Sequence, residues 1–151
     1  MIAFVSGDLL AAKVEALVNP VNTVGVMGKG LALAFKKAFP ANFKAYEAAA
    51  KAGALAVGSV FVFEAVGLVQ PRYILNFPTK AHWRDPSKLS YVEDGLRDLV
   101  RVVRARKIGS IAIPALGAGL GGLAWDDVRP LITRGLAELE DVEIQVFAPL
   151  G

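Results

Sequence analysis

The sequence contains no cysteine and a single histidine in 151 residues. Without thiols there is no disulfide framework, no zinc-cysteine site and no thiol nucleophile, and one imidazole cannot build a His-rich metal centre. Asn and Gln are scarce too, as in heat-stable proteins and in alanine-rich chains alike. The longest stretch without a charge, residues 108–125, reaches 18 residues, the lower limit for a membrane span. It holds five glycines and Pro114, so it reads as a buried strand and a loop, with no membrane partner. Charge of one sign is also in short supply: 17 basic side chains against 14 acidic give a formal +3. That welcomes an anionic ligand and is too little, alone, to argue for nucleic-acid wrapping. Met1 runs straight into a strand pattern without the charged start of a secretory leader, so a cytoplasmic setting is expected.

What is present is an apolar majority, 54% of the chain, enough for one core without staples. One domain over 1–151 is expected. Strand patterns fall at 2–5, 16–18, 59–64, 72–76, 110–113 and 142–147. Helical spacing runs over 31–38, stopped by Pro40, then over 42–52 with Asn42 as a cap and Gly53 as a stop. Ser90 and Glu93 form a capping box for a helix to about residue 107. Asp126 or Asp127 would cap a last helix with Pro130 in its first turn. Alternating strands and helices, with several strands apolar on both faces, predict an α/β/α three-layer sandwich around a mixed, mostly parallel sheet.

Ligands of such sheets bind beyond the carboxyl ends of the strands. Gly7-Asp8, Asn19 to Asn22, Thr79-Lys80 and Gly117 to Gly122 all follow strands. Gly117-Ala118-Gly119-Leu120-Gly121-Gly122 satisfies the dinucleotide pattern G-x-G-x-x-G but follows a late strand, where the usual fingerprint follows the first. A glycine-lined diphosphate cradle and a plain tight turn remain the broader readings. Gly28-Lys29 evokes a phosphate-binding loop and fails it, since Thr23 stands at the first glycine position and Gly30 at the magnesium-binding hydroxyl position. Asp8 suits an exocyclic amine or a helix cap. Asn19 reads as structural, and Asn22 as a partner for sugar hydroxyls.

Gly7-Asp8-Leu9, Asn19-Pro-Val-Asn22, Gly28-Lys-Gly-Leu-Ala, Asn76-Phe-Pro-Thr-Lys80 and the run from Ile113 to Trp125 occur in order along nearly the whole chain. Together they resemble the macrodomain family. The Asn-Phe-Pro-Thr-Lys segment selects the branch of glycohydrolases that act on ADP-ribosylated protein or on ADP-ribosylated DNA. The resemblance implies an ADP-ribose cleft. Asp8 and Leu9 would meet adenine, with Phe147 as a stacking candidate. The loops at Gly28, Lys29, Gly30 and Leu31 and at Gly117, Ala118, Gly119, Leu120 and Gly121 would hold the diphosphate. Asn22 would orient the distal ribose, with Thr79 beside the catalytic Lys80. His82, Trp83 and Arg84 form a candidate rim for the nucleobase or DNA strand.

One departure favours DNA. The protein-directed enzymes carry an acidic residue where this chain has Gly121, which leaves Lys80 as the sole evident catalytic group. The function implied is removal of ADP-ribose from thymidine in single-stranded DNA, reversing the modification made by a cognate ADP-ribosyltransferase toxin, without metal or other cofactor. Hydrolysis of ADP-ribosylated protein and plain ADP-ribose reading are the alternatives. Members of the antitoxin kind are longer, so the chain would be the N-terminal part of a longer protein. Lys80 as an ammonium would stabilise the leaving base; as a neutral amine it would attack the sugar or activate water. The leaving-group role is preferred, because a glycosylated base leaves poorly without it.

Overall fold

In the computed structural model, residues 1–68 and 70–149 are described. Among them, six strands form one sheet: β1 (Ile2–Val5), β2 (Ala16–Asn22), β3 (Phe61–Glu64), β4 (Tyr73–Lys80), β5 (Ser110–Pro114) and β6 (Glu143–Phe147). Four α-helices connect them: α1 (Gly30–Ala38), α2 (Pro40–Lys51), α3 (Leu89–Ala105) and α4 (Trp125–Gly135). The strand order is β1-β6-β5-β2-β4-β3, and every neighbouring pair is parallel except β3 with β4. The sheet is therefore mixed and mostly parallel, as expected.

Period-two alternation builds the layers. Ala16, Val18, Leu75, Phe77, Ile111 and Ile113 join the buried residues of α3 and α4 in one cluster. Their neighbours Leu17, Ile74 and Ala112 pack on the other face with Phe35 of α1. Helix α3 approaches β4 closely because Gly95 has no side chain; a Cβ there would run into the buried Phe77 ring.

Several local expectations change. Both β2 and β4 run further than their apolar patterns, through Pro20 and Pro78, to Asn22 and Lys80. Proline removes a ladder donor and belongs where pairing is one-sided. Past Leu17, β2 pairs only with β4; past Asn76, β4 pairs only with β2; Pro114 pairs only with β6. These three prolines mark where the sheet parts. Asn42 is no cap: α2 starts at Pro40, and Asn42 is drawn into the interior. The capping box is also absent, since α3 begins at Leu89 with Lys88 as its cap and Glu93 pairs with Arg97. Pro130 lies inside α4, beyond a first turn that holds Asp126 and Asp127.

Candidate functional site

The parting of β2 from β5 leaves an open cleft of about 870 Å³ at the carboxyl ends of the strands. Chain connections leave β2 toward β4 and leave β5 toward β6, so this is the crevice where an α/β sheet takes its ligands. Pro20, Val21 and Asn22 from β2 and Pro114 and Ala115 after β5 form the floor. Gly28, Lys29, Gly30, Leu31 and Ala32 form one wall, at the N-terminus of α1, whose free backbone N–H groups suit an anion. Gly117, Ala118, Leu120 and Gly121 form the opposite wall, and Thr79, Lys80, Trp83 and Arg84 close the end.

The two glycine loops meet. Gly30, at φ 57°, would place a Cβ 2.9 Å from Leu120 Cδ1, so the Leu120 side chain reaches across to the other wall. Gly117 takes φ 76°, and a Cβ there would lie 2.6 Å from Leu123 Cδ1. Only glycine combines that backbone with that proximity. Gly121 is glycine for a packing reason: Ser87 Oγ sits 2.5 Å from where its Cβ would be, and Ser87 N donates to Gly121 O at 2.9 Å. That hydroxyl is buried without a partner.

Lys80 ends β4 with its ammonium between two loops. Nζ donates to Leu120 O at 3.1 Å and to Trp83 O at 3.4 Å. Thr23 Oγ1 donates to Ala81 O at 2.6 Å, tying the loop after β2 to the same corner. At the tip, His82 and Arg84 both lie against the half-exposed Trp83 ring, at 5.2 Å and 5.3 Å. Arg84 N also donates to His82 Nδ1 at 3.1 Å.

Asn22 lines the cleft, yet most of its amide is committed to the fold. Oδ1 accepts from Val24 N and Val26 N at 3.1 and 3.3 Å, and Nδ2 donates to Val26 O at 2.8 Å. The Tyr46 hydroxyl lies 2.8 Å from both Asn22 O and Asn22 Oδ1 and shares its proton between them. One Nδ2 proton is left for a ligand. Burial pushes the Tyr46 phenol up from 10.0 to about 12, so it stays neutral and donating throughout the ordinary pH range. Asn19 is structural, as read. It is fully buried and donates to Asn76 Oδ1 at 3.2 Å, while Asn76 and Asn42 exchange hydrogen bonds at 2.9 and 3.1 Å.

Five residues read as site residues lie off these walls: Asp8, Leu9, Gly119, His82 and Phe147. Asp8 caps a single 3-10 turn by accepting from Leu10 N at 3.0 Å, Leu9 is buried, and Phe147 packs half-buried against the same cluster as Leu9. Pro20, Val26, Pro114 and Ala115 are wall residues that the sequence did not single out. The prolines were its available signal. Among the described residues no three His, Asp or Glu side chains gather as metal ligands would, and no helix is long and apolar enough to cross a membrane.

Comparison with known proteins supplies the setting. The family model described as Macro domain matches residues 18–132. A Thermus aquaticus protein named DNA ADP-ribosyl glycohydrolase is 55% identical over 150 residues, covering 99% of this chain and 42% of that relative. The solved macrodomain of Mycobacterium tuberculosis DarG superposes with a TM-score of 0.97 at 51% identity, covering 99% of both chains. Thermosipho africanus provides a DNA ADP-ribosyl transferase-DNA ADP-ribosyl glycohydrolase fusion protein, 37% identical over 164 residues, covering 99% of this chain and 42% of the relative. The solved structure of Thermosipho africanus DarTG in complex with ADP-ribose gives a TM-score of 0.93 at 38% identity, covering 99% of this chain and 42% of that one. The chain thus spans less than half the length of these two curated relatives.

Proposed function

The chain belongs to the macrodomain family, and from that premise we propose that its cleft binds ADP-ribose and hydrolyses the bond joining it to thymidine in DNA. The observation that carries this reading is Lys80, held by Leu120 O and Trp83 O at the end of a cleft walled by two glycine loops. The diphosphate lies between the N-terminus of α1 and the Gly117–Gly121 loop, under Leu120. The distal ribose then reaches Asn22 and Lys80, and the thymine faces Trp83 and Arg84. Asp8 and Phe147 take the adenine end, beyond the walls.

Breaking the glycosidic bond sends its electron pair to the base and leaves an oxocarbenium-like sugar. Two of the three Lys80 protons are occupied by the carbonyls, so the third donates to the departing base. Water adds to the sugar, and its proton returns to the lysine. Ser87 fills the space at position 121, so no carboxylate faces Lys80 from that turn. That supports a base-linked substrate over a glutamate ester. We read the chain as the macrodomain part of a longer cytoplasmic antitoxin; the fusion of a DNA ADP-ribosyl transferase to a DNA ADP-ribosyl glycohydrolase in one relative supports pairing with such a transferase.

A substrate panel tests the reading: ADP-ribosylated single-stranded DNA, ADP-ribosylated glutamate peptide and free ADP-ribose. Release from DNA is expected, with little from peptide. Preferential release from peptide would replace the DNA reading, and binding of free ADP-ribose without release from either would make the protein a reader.

A further inference from the structure

Residues 29–51 carry five lysines against the single acid Glu47, so this segment's +4 exceeds the formal +3 of the whole chain. It comprises the cleft loop at Lys29 followed by α1 and α2. Lys36, Lys37 and Lys44 are exposed, and among the described residues they form no ion pair. Lys36 rests over the Phe43 ring at 4.4 Å, which fixes it on the outer face of the helix pair. Lys36 follows Lys29 by seven residues, about 10 Å along a helix. The α3 face differs: Arg97 and Arg101 are bound to Glu93, Asp94 and Asp98, and Arg104 to Glu138.

We infer that the α1–α2 face is the track for the sugar-phosphate backbone of the DNA strand whose modified base occupies the cleft. The inference rests on the DNA-directed reading above and adds the surface that holds the strand. A strand with one base in the cleft must lay its neighbouring phosphates on adjoining surface. The α3 face has already paired its arginines, Arg97 and Arg101 with carboxylates of the same helix and Arg104 with Glu138. The lysine face begins in the cleft wall at Lys29 and, among the described residues, leaves Lys36, Lys37 and Lys44 without an ion pair, with only Lys51 paired, to Glu47. Phosphate contacts of this kind bind without regard to sequence and release counterions, so they weaken steeply with salt.

The test compares wild type with the triple variant Lys36→Gln, Lys37→Gln, Lys44→Gln. None of the three lines the cleft. Affinity for an unmodified single-stranded oligonucleotide is followed by fluorescence anisotropy between about 50 and 200 mM salt. The slope of log affinity against log salt should be shallower in the variant by about 2, from roughly 0.7 per lost phosphate contact. KM for the ADP-ribosylated oligonucleotide at low salt should rise about tenfold. The kcat, and turnover of ADP-ribosylated thymidine nucleoside, should not move. Equal slopes in the two proteins would overturn the track, as would an equal loss on nucleoside and oligonucleotide. Loss of an acidic protein partner's hold with DNA affinity intact would assign the face to that partner and overturn it also. Failure of the wild type to turn over either the modified oligonucleotide or the modified nucleoside would overturn the hydrolase reading, while the anisotropy slopes would still decide the surface.

Discussion

At the scale of residues, Lys80 and the two glycine loops face the cleft, while Asn19, Asn42, Asn76 and Tyr46 brace it from within. Lys80, Gly28 to Leu31 and Gly117 to Gly121 declared themselves, because an amine after a strand and glycines in a row have few uses. Asn19 read as structural, but the pairing of Asn42 with Asn76 did not show. Asn42 and Asn76 are 34 positions apart, and their pairing exists only once α2 lies against β4. Tyr46 was likewise hidden in an alanine-rich helix, although it anchors Asn22 and the loop that follows. Its phenol supplies a prediction. The folded protein keeps a proton until about pH 12 that the unfolded chain releases near 10.0. The stability held through this proton is fully present below about pH 10 and is lost as pH rises toward 12, by on the order of 3 kcal/mol. Denaturant unfolding at about pH 9 and pH 11 should show this fall in wild type and a flatter profile in Tyr46→Phe. Identical alkaline profiles would contradict the assignment.

At the scale of elements, hydrophobic periodicity, with cap signals for α3 and α4, located the six strands and four α-helices of the described residues, and the misreadings cluster at their ends. Caps were assigned from residue type, whereas other partners decided: Asn76 recruits Asn42 from across the layer, Arg97 pairs with Glu93 one turn away in the same helix, and α4 absorbs Pro130. The ends of β2 and β4 were cut short because proline reads as a strand breaker, yet these prolines lie where only one neighbour remains. Gly95 shows a packing demand that sequence pattern could not reveal, since its reason lies across the layer in Phe77. Replacing it with alanine keeps helix propensity favourable and still forces α3 away from β4. Gly95→Ala should cost about 1–3 kcal/mol and lower Tm in a thermal melt. An unchanged Tm would mean that the layers can separate without penalty.

At the scale of the whole molecule, the site is a consequence of the sheet coming apart. The order β1-β6-β5-β2-β4-β3 places β2 at the centre, and the loss of its β5 partner after Leu17 opens the space that the glycine loops then wall. Sequence order alone gave the layers and the end of the sheet that carries the loops. It could not give the separation of β2 from β5, because that depends on where pairing stops. The proposed chemistry lies at one corner of this opening, where Lys80 is tied to Leu120 and Trp83. In the proposed reaction this lysine acts on the departing base and is not needed to hold ADP-ribose. The most direct measurement pairs single-turnover release of ADP-ribose from an ADP-ribosylated oligonucleotide with calorimetric binding of free ADP-ribose, in wild type and Lys80→Ala. Release should slow by about 100- to 10,000-fold in Lys80→Ala, with the affinity for free ADP-ribose within a few-fold of wild type. Release at the wild-type rate, or a loss of affinity as large as the loss of rate, would contradict it.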